Sequence, residues 1–120
     1  MRRILIVDDQ QDICDCLGQF FSARGFSVRS AFSGEEALKH LHMDTQTPDV
    51  IILDILLPGL SGIEVLKRIR STHPTVRVLM VTALDQTELR LQAHRYGASA
   101  YITKPFNFSN ETWAAALSSP

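Results

Sequence analysis

The stretch VIILDILLPGLSG at residues 50–62 decides the fold that this sequence predicts. Residues 50–53 are apolar and rich in β-branched side chains, and no polar residue alternates with them. Such a run is typical of a strand covered on both faces, as in a parallel sheet. The run ends at Asp54, and Pro58 and Gly62 bracket the loop that follows, as turn chemistry requires. The stretch therefore predicts a buried parallel strand with an acid at its end.

Three further runs share this composition, and we expect each to be covered on both faces. They are ILIV at 4–7, VLMV at 78–81 and AYIT at 100–103. A weaker candidate, FSVRSA at 26–31, alternates apolar and polar residues, which favours a strand at an edge of the sheet.

Segments with helical spacing lie between these runs. The first helix shows an apolar face at positions 13, 17, 20 and 21 and ends before Gly25, and the second starts with a capping box of Ser33 and Glu36. A third helix is predicted over 61–72. Asp85 is the predicted cap of a fourth helix that stops at Gly97, and Ser109 is the predicted cap of a fifth. Alternating strands and helices imply parallel strands, right-handed crossovers and helices on both faces. The sequence predicts one α/β domain over residues 1–120.

Composition excludes several classes of protein. The chain has 120 residues, of which 45% are hydrophobic and 21% charged, as in an average globular domain. Its formal net charge of −1 disfavours direct nucleic-acid binding by this segment. Cys14 and Cys16 have no second pair to complete a zinc site, so we expect reduced thiols. No apolar stretch approaches the roughly 20 residues that span a membrane, and we expect a cytoplasmic protein.

Polar residues stand where the predicted strands end. The first strand ends at Asp8 and Asp9, the third at Asp54, the fourth at Thr82 and the fifth beside Lys104. In open α/β sheets, active groups gather at this edge, although each residue alone is also compatible with the start of a solvated loop. Crowded carboxylates favour a hard cation such as Mg²⁺, and a carboxylate can attack phosphorus. The combination indicates acceptance of a phosphoryl group.

Four motifs in one order now identify a family. ILIVDDQ at 4–10, VIILDILLPGLSG at 50–62, VLMVTA at 78–83 and YITKPF at 101–106 resemble those of bacterial response-regulator receiver domains, over about residues 2–108. The resemblance implies a flavodoxin-like, doubly wound five-stranded sheet in the order 2-1-3-4-5. It implies a switch in a two-component system or phosphorelay, which a sensor histidine kinase or phosphotransfer protein phosphorylates to control an output domain, a protein partner or a receiver homodimer.

The resemblance also implies roles for individual residues. Asp54 matches the phosphoacceptor, with Asp9, Asp8 and the backbone carbonyl of Leu56 as the other ligands of Mg²⁺, or of Mn²⁺ as a substitute. Thr82 and Lys104 match the pair that senses the phosphate, and Pro105 matches a cis peptide. Thr82 is expected to couple to Tyr101 in switching, although Tyr101 could instead cap the sheet with its hydroxyl in water.

Two features depart from the family pattern. Leu56 and Leu84 stand where fast self-hydrolysing relatives carry polar residues, and an apolar side chain cannot orient an attacking water, so we expect a long-lived aspartyl phosphate. The segment NFSNETWAAALSSP at 107–120 predicts a shortened fifth helix with Trp113, Ala116 and Leu117 on its apolar face.

Two other functions remain open at this point. One is a phosphatase or phosphotransferase of the haloacid-dehalogenase kind, but those enzymes place the nucleophile after the first strand and carry a cap segment. The other is a receiver that serves only for protein interaction, but such proteins lose an acid or the Lys, and this sequence keeps the whole set.

Overall fold

The computed structural model describes residues 2–43 and 46–118. Met1, Asp44, Thr45, Ser119 and Pro120, which belong to the predicted 1–120 unit, lie outside the described residues. The elements are β1 (Arg3–Val7), α1 (Gln11–Ser22), β2 (Ser27–Ala31), α2 (Gly34–Met43), β3 (Val50–Leu53), α3 (Gly62–Thr72), β4 (Arg77–Thr82), α4 (Thr87–Arg95), β5 (Ala100–Thr103) and α5 (Asn110–Ser118).

Within the described residues, the strands form one parallel sheet in the order β2-β1-β3-β4-β5. The predicted fold class and strand order are confirmed. β1, β3 and β4 occupy the middle of the sheet and bury nearly all of their side chains, because helices cover both faces. β2 lies at an edge, as its alternating pattern predicts.

The prediction that 100–103 is covered on both faces holds only in part, since Tyr101 packs against one core and Ala100 and Ile102 pack against the other. β5 forms the other edge of the sheet, and all four of its side chains are half-buried. A strand paired on one side has fewer neighbouring side chains above and below it, and an apolar run does not report that difference.

The two faces of the sheet have different cores. α2, α3 and α4 cover one face with a mainly aliphatic core around Leu5, Leu53, Leu66 and Met80. α1 and α5 cover the opposite face, where rings concentrate around Trp113. We call the following six rings the aromatic cluster: Phe20, Phe21, Phe26, Phe106, Phe108 and Trp113.

Helix α5 is short, as predicted, and Trp113 anchors it. The indole is 1% exposed and its Nε1–H donates to the carbonyl of Asn107 at 2.9 Å, so the buried polar atom has a partner. The ring packs edge-on against Phe21, with centroids 5.6 Å apart, while Phe108 stacks on Phe20 at 4.5 Å. A nine-residue helix is therefore fixed by one large side chain.

The predicted helix starts agree in part with the structure. Ser61 is the N-cap of α3 and accepts from the amide of Glu64, and Ser33 accepts from the amide of Glu36 at 3.1 Å. The carboxylate of Glu36 accepts from the amide of Phe32, so the capping box is shifted by one residue. The predicted cap at Asp85 is wrong, because Gln86 is the N-cap of α4 and Asp85 binds Arg90 instead.

Candidate functional site

The register of the central strands brings two acids side by side. Val7 and Leu53 are paired across β1 and β3, and each is followed directly by an aspartate. Asp8 and Asp54 therefore leave the sheet together, and they are only 3% and 4% exposed. Asp9 comes one residue later and is exposed. One carboxylate oxygen of each of the three lies within 4.8 Å of the others, and we call this group the acidic edge.

Lys104 holds the two buried acids together. Its Nζ donates to Asp8 Oδ2 at 2.7 Å and to Asp54 Oδ2 at 2.9 Å, and also to Gln10 Oε1 at 3.1 Å. Its own amide donates to the carbonyl of Thr82 at 2.8 Å, and the following peptide bond to Pro105 is cis, as the resemblance implies. The hydrogen bonds from the ammonium thus offset part of the hydration that the two carboxylates lose on burial.

The environment shifts the pKa values of this pair. Burial raises the pKa of Asp8 above its ordinary value, and this effect exceeds the opposing hydrogen bonds from Lys104 and from the amide of Gln10. For Lys104, burial by itself lowers the pKa, but hydrogen bonds to Asp8 and Asp54 together outweigh burial and the pKa is raised. The raised pKa keeps the ammonium charged beside the acids.

The loop after β3 fixes the other side of Asp54. The amide of Leu56 donates to Asp54 Oδ1 at 3.1 Å, while the side chain of Leu56 is 53% exposed. The amide of Gly62 donates to the carbonyl of Ile55 at 2.9 Å, and a Cβ at Gly62 would collide with the carbonyl oxygen of Asp54. Glu35 reaches from α2 to accept from the amide of Leu60 at 3.3 Å. Glycine at 62 therefore allows the loop to close against the acid.

Thr82 and Tyr101 are linked through the backbone of one residue. Thr82 ends β4 and is fully buried, and its Oγ1 accepts from the amide of Leu84 at 3.4 Å. The carbonyl of Leu84 accepts from the hydroxyl of Tyr101 at 2.7 Å. The alternative in which this hydroxyl points into water is therefore wrong. Burial is the main cause that raises the pKa of Tyr101 above its ordinary value.

Most predicted site residues meet at one edge, and sequence reasoning missed three neighbours. Asp8, Asp9, Asp54 and Lys104 are adjacent, whereas the metal role of the Leu56 carbonyl stays a prediction. The missed residues are Gln10, which binds Lys104, Glu35, which binds the loop, and Arg90, which stacks on Tyr101. Gln10 directly follows the acid pair, which was an available signal. Glu35 and Arg90 act over contacts that no local pattern encodes.

Among the described residues, no helix is both long and apolar enough to cross a bilayer.

Comparisons with known proteins agree with this geometry. The sequence model of the response regulator receiver domain matches residues 4–114. The chain is 41% identical over 106 residues to the alkaline phosphatase synthesis transcriptional regulatory protein PhoP of Bacillus subtilis, which covers 88% of this chain and 43% of PhoP. The chain spans less than half the length of the curated relatives that it matches first.

Two similar solved structures carry informative ligands or modifications. Response regulator TrrA from Thermotoga maritima, solved with Mg²⁺ and BeF, is 34% identical with a TM-score of 0.82, over 96% of both chains. A response regulator from Burkholderia pseudomallei, solved with a phosphorylated aspartic acid and a calcium ion, is 29% identical with a TM-score of 0.86, over 98% of this chain and 66% of that one. The chain belongs to the response regulator receiver domain family of two-component signalling, whose function is phosphorylation-dependent switching.

Proposed function

We propose that this receiver domain accepts its phosphoryl group on Asp54. The observation that carries the proposal is the contact of one ammonium, that of Lys104, with both buried acids, at 2.7 Å to Asp8 and 2.9 Å to Asp54. A cation fixed beside a carboxylate is suited to stabilise the charge that develops on a transferring phosphoryl group. The phosphorylated aspartic acid in the similar structure from Burkholderia pseudomallei supports the same chemistry.

The position of β3 favours Asp54 over the other two acids. β3 lies between β1, which leads to Asp8, and β4, which ends at Thr82. A phosphoryl group on Asp54 would have the other acids on one side and the Thr82 hydroxyl on the other. Asp8 follows β1, whose neighbour on the other side, β2, ends at the apolar Ala31, and Asp9 is exposed.

The transfer balances with the groups present. A carboxylate oxygen of Asp54 attacks the phosphorus of a phosphohistidine on a kinase or phosphotransfer protein, and a P–O bond forms. The P–N bond of the donor breaks with its electron pair going to the imidazole nitrogen, which takes up a proton. Lys104 neutralises oxygens of the transferring group, and Thr82 hydrogen-bonds one of them after transfer.

The acidic edge fits a bound Mg²⁺ ion. Its donors are hard carboxylate oxygens within 4.8 Å of one another, and Asp8, Asp9 and Asp54 together carry more negative charge than Lys104 balances. These acids and the Leu56 carbonyl would hold the ion, with Mn²⁺ as a substitute. When bound, the metal supplies positive charge beside the phosphoryl oxygens. The TrrA structure with Mg²⁺ and BeF supports this choice.

The signal then passes from Thr82 to Tyr101. To donate a hydrogen bond to the phosphate, the Thr82 hydroxyl must move toward it, and the 3.4 Å bond that its Oγ1 accepts from the amide of Leu84 carries this movement to Leu84. The carbonyl of Leu84 accepts a hydrogen bond from the Tyr101 hydroxyl, so a shift of Leu84 changes the position of the Tyr101 ring. The phosphate is a local charge that biases a two-state element.

The modified form is long-lived and acts on a partner. The side chains of Leu56 and Leu84 offer no hydrogen bond to an attacking water, which supports slow self-hydrolysis. The name of PhoP supports an output in transcription for that relative, and this chain's own output stays a proposal. We place the domain in the cytoplasm, with a sensor kinase upstream and an output domain, protein partner or second copy downstream.

Intact mass spectrometry tests the proposal. The protein is incubated with Mg²⁺ and acetyl phosphate or phosphoramidate, next to an Asp54→Asn variant. The matched control is Asp49→Asn, which changes an exposed acid directly before the first residue of β3, at the end of the strand away from Asp54. We expect one phosphoryl addition in wild type and the control, and none in Asp54→Asn. No addition to wild type, or equal addition to Asp54→Asn, would refute the assignment.

A further inference from the structure

Arg90 lies against the ring of Tyr101. The residue is in the first turns of α4, its side chain is 40% exposed, and its guanidinium carbon is 4.7 Å from the ring centroid. A guanidinium over an aromatic face is attracted by the negative charge of the ring face. The contact is between α4 and β5, so it joins the element after Thr82 to the strand that carries Tyr101.

Asp85 fixes the position of Arg90. Its Oδ1 accepts from Nε of Arg90 at 2.8 Å and from Nη2 at 2.6 Å. Asp85 stands one residue before the N-cap of α4, and the N-cap Gln86 makes no side-chain cap bond. The carboxylate therefore holds the guanidinium instead of the helix, and two charged groups of opposite sign are anchored beside one ring.

The hydroxyl of Tyr101 is held by the same segment. It donates to the carbonyl of Leu84 at 2.7 Å, and Leu84 directly precedes Asp85. Residues 84–90 thus contact both the polar end and the face of this ring. The same segment starts two residues after Thr82, whose hydroxyl accepts from the amide of Leu84.

We propose that Asp85 and Arg90 are positioning residues for Tyr101, which stabilise the conformer whose hydroxyl is bound to Leu84 and so set the balance of the switch. The inference rests on the proposed role of Tyr101. By linkage, a group that stabilises one conformer of a two-state element changes the response to any ligand or modification that biases the element. Because the pair is partly exposed, we expect a shift of about two- to fivefold in the conformer ratio.

Fluorine NMR of the protein labelled with 3-fluorotyrosine tests this. The chain has two tyrosines, so Tyr96 serves as an internal reference. Tyr96 has its own cation, because Lys67 Nζ lies 4.6 Å from its ring centroid. A Lys67→Ala variant is therefore the matched control for Arg90→Ala.

We expect Arg90→Ala to move the Tyr101 resonance toward that of the unbound conformer and to leave Tyr96 in place. Asp85→Asn should give a smaller shift in the same direction, and Arg90→Lys should restore part of the wild-type position. Lys67→Ala should move Tyr96 alone. The inference would be overturned by an unchanged Tyr101 resonance in Arg90→Ala. It would also be overturned if Arg90→Ala and Lys67→Ala shifted the Tyr101 resonance equally.

The same samples separate this inference from the proposed function. The spectra are recorded before phosphorylation, and phosphoryl addition is then measured by intact mass. If the wild-type protein gains no phosphoryl mass, the proposed function is refuted. The effect of Arg90→Ala on the Tyr101 resonance is measured on the unphosphorylated protein and does not depend on that result. A wild type that is phosphorylated with no change at Tyr101 refutes the switching role of that ring.

Discussion

The acidic edge and the aromatic cluster are two parts of one domain, and they are built on opposite principles. The acidic edge places carboxylates of like charge within 4.8 Å of one another, an arrangement that costs stability and that Lys104 offsets. The aromatic cluster places apolar rings at centroid distances of 4.5 to 6.1 Å, an arrangement that stabilises. The comparison teaches that chemistry and stability reside in different residues here, so substitutions should separate them.

The largest expected effect is on stability and comes from the aromatic cluster. Trp113→Ala removes the 1% exposed indole that anchors α5, and a buried Trp→Ala change costs about 3–5 kcal/mol. Urea unfolding followed by circular dichroism measures this loss. The folded fraction should still accept phosphate from acetyl phosphate. If Trp113→Ala is too unstable to study, Trp113→Phe should show a smaller loss with full phosphorylation. A loss below about 1 kcal/mol for Trp113→Ala would contradict the anchoring role.

Gly62→Ala tests the acidic edge, as Trp113→Ala tests the aromatic cluster. The added Cβ would collide with the carbonyl oxygen of Asp54, and overpacking of this kind costs about 1–3 kcal/mol. Because the displaced group is the backbone of Asp54, phosphorylation should slow as well. The control is Gly18→Ala in α1, whose Cβ would meet Val28 at an ordinary 3.5 Å. Thermal unfolding and phosphorylation rates check both variants, and normal phosphorylation of Gly62→Ala counts against the proposed constraint.

Mg²⁺ should stabilise the acidic edge without involving the aromatic cluster. At ten times its dissociation constant, a ligand of the folded state adds about 1.4 kcal/mol to the free energy of unfolding. We expect the midpoint of thermal unfolding to rise with MgCl₂ at constant ionic strength. Asp9→Ala should lose most of this rise, and Asp12→Ala, which alters an exposed acid in α1, should keep it. Equal responses of the two variants would argue against a metal at Asp9.

The smallest effect concerns the lifetime of the modified form. Leu84→Gln introduces a side chain that can orient water near Asp54, and we expect self-hydrolysis to quicken severalfold, on the order of 1 kcal/mol in the barrier. Decay of the phosphorylated mass over time measures the rate. Leu91→Gln is the control, since Leu91 is an exposed leucine of α4. An unchanged rate in Leu84→Gln would show that this position does not limit hydrolysis.

The acidic edge was predictable from sequence because position along the chain encodes it. A buried parallel strand is a short apolar run, and the residue after the run must lie at the carboxyl edge. Asp8, Asp54 and Thr82 follow from this rule, and the family resemblance added the strand order. The rule needs no knowledge of which side chains touch.

Other features escaped prediction because they depend on contacts between distant residues. The half-buried state of β5 depends on its place at the sheet edge, which its apolar run does not report. Aspartate is a common helix cap, but the side chain of Asp85 binds Arg90, five residues later, instead. The same limit hid the contact of Arg90 with Tyr101 and that of Glu35 with the β3–α3 loop. Local patterns give propensities, and tertiary partners choose among them.

The central claim is that Asp54, rather than Asp8 or Asp9, carries the phosphoryl group. Sodium borohydride reduces an acyl phosphate to the alcohol, so a phosphorylated aspartate becomes homoserine, which peptide mass spectrometry locates. After phosphorylation with acetyl phosphate and Mg²⁺, we expect homoserine at residue 54 and intact aspartate at residues 8 and 9. Homoserine at residue 8 or 9, with residue 54 unchanged, would contradict the account.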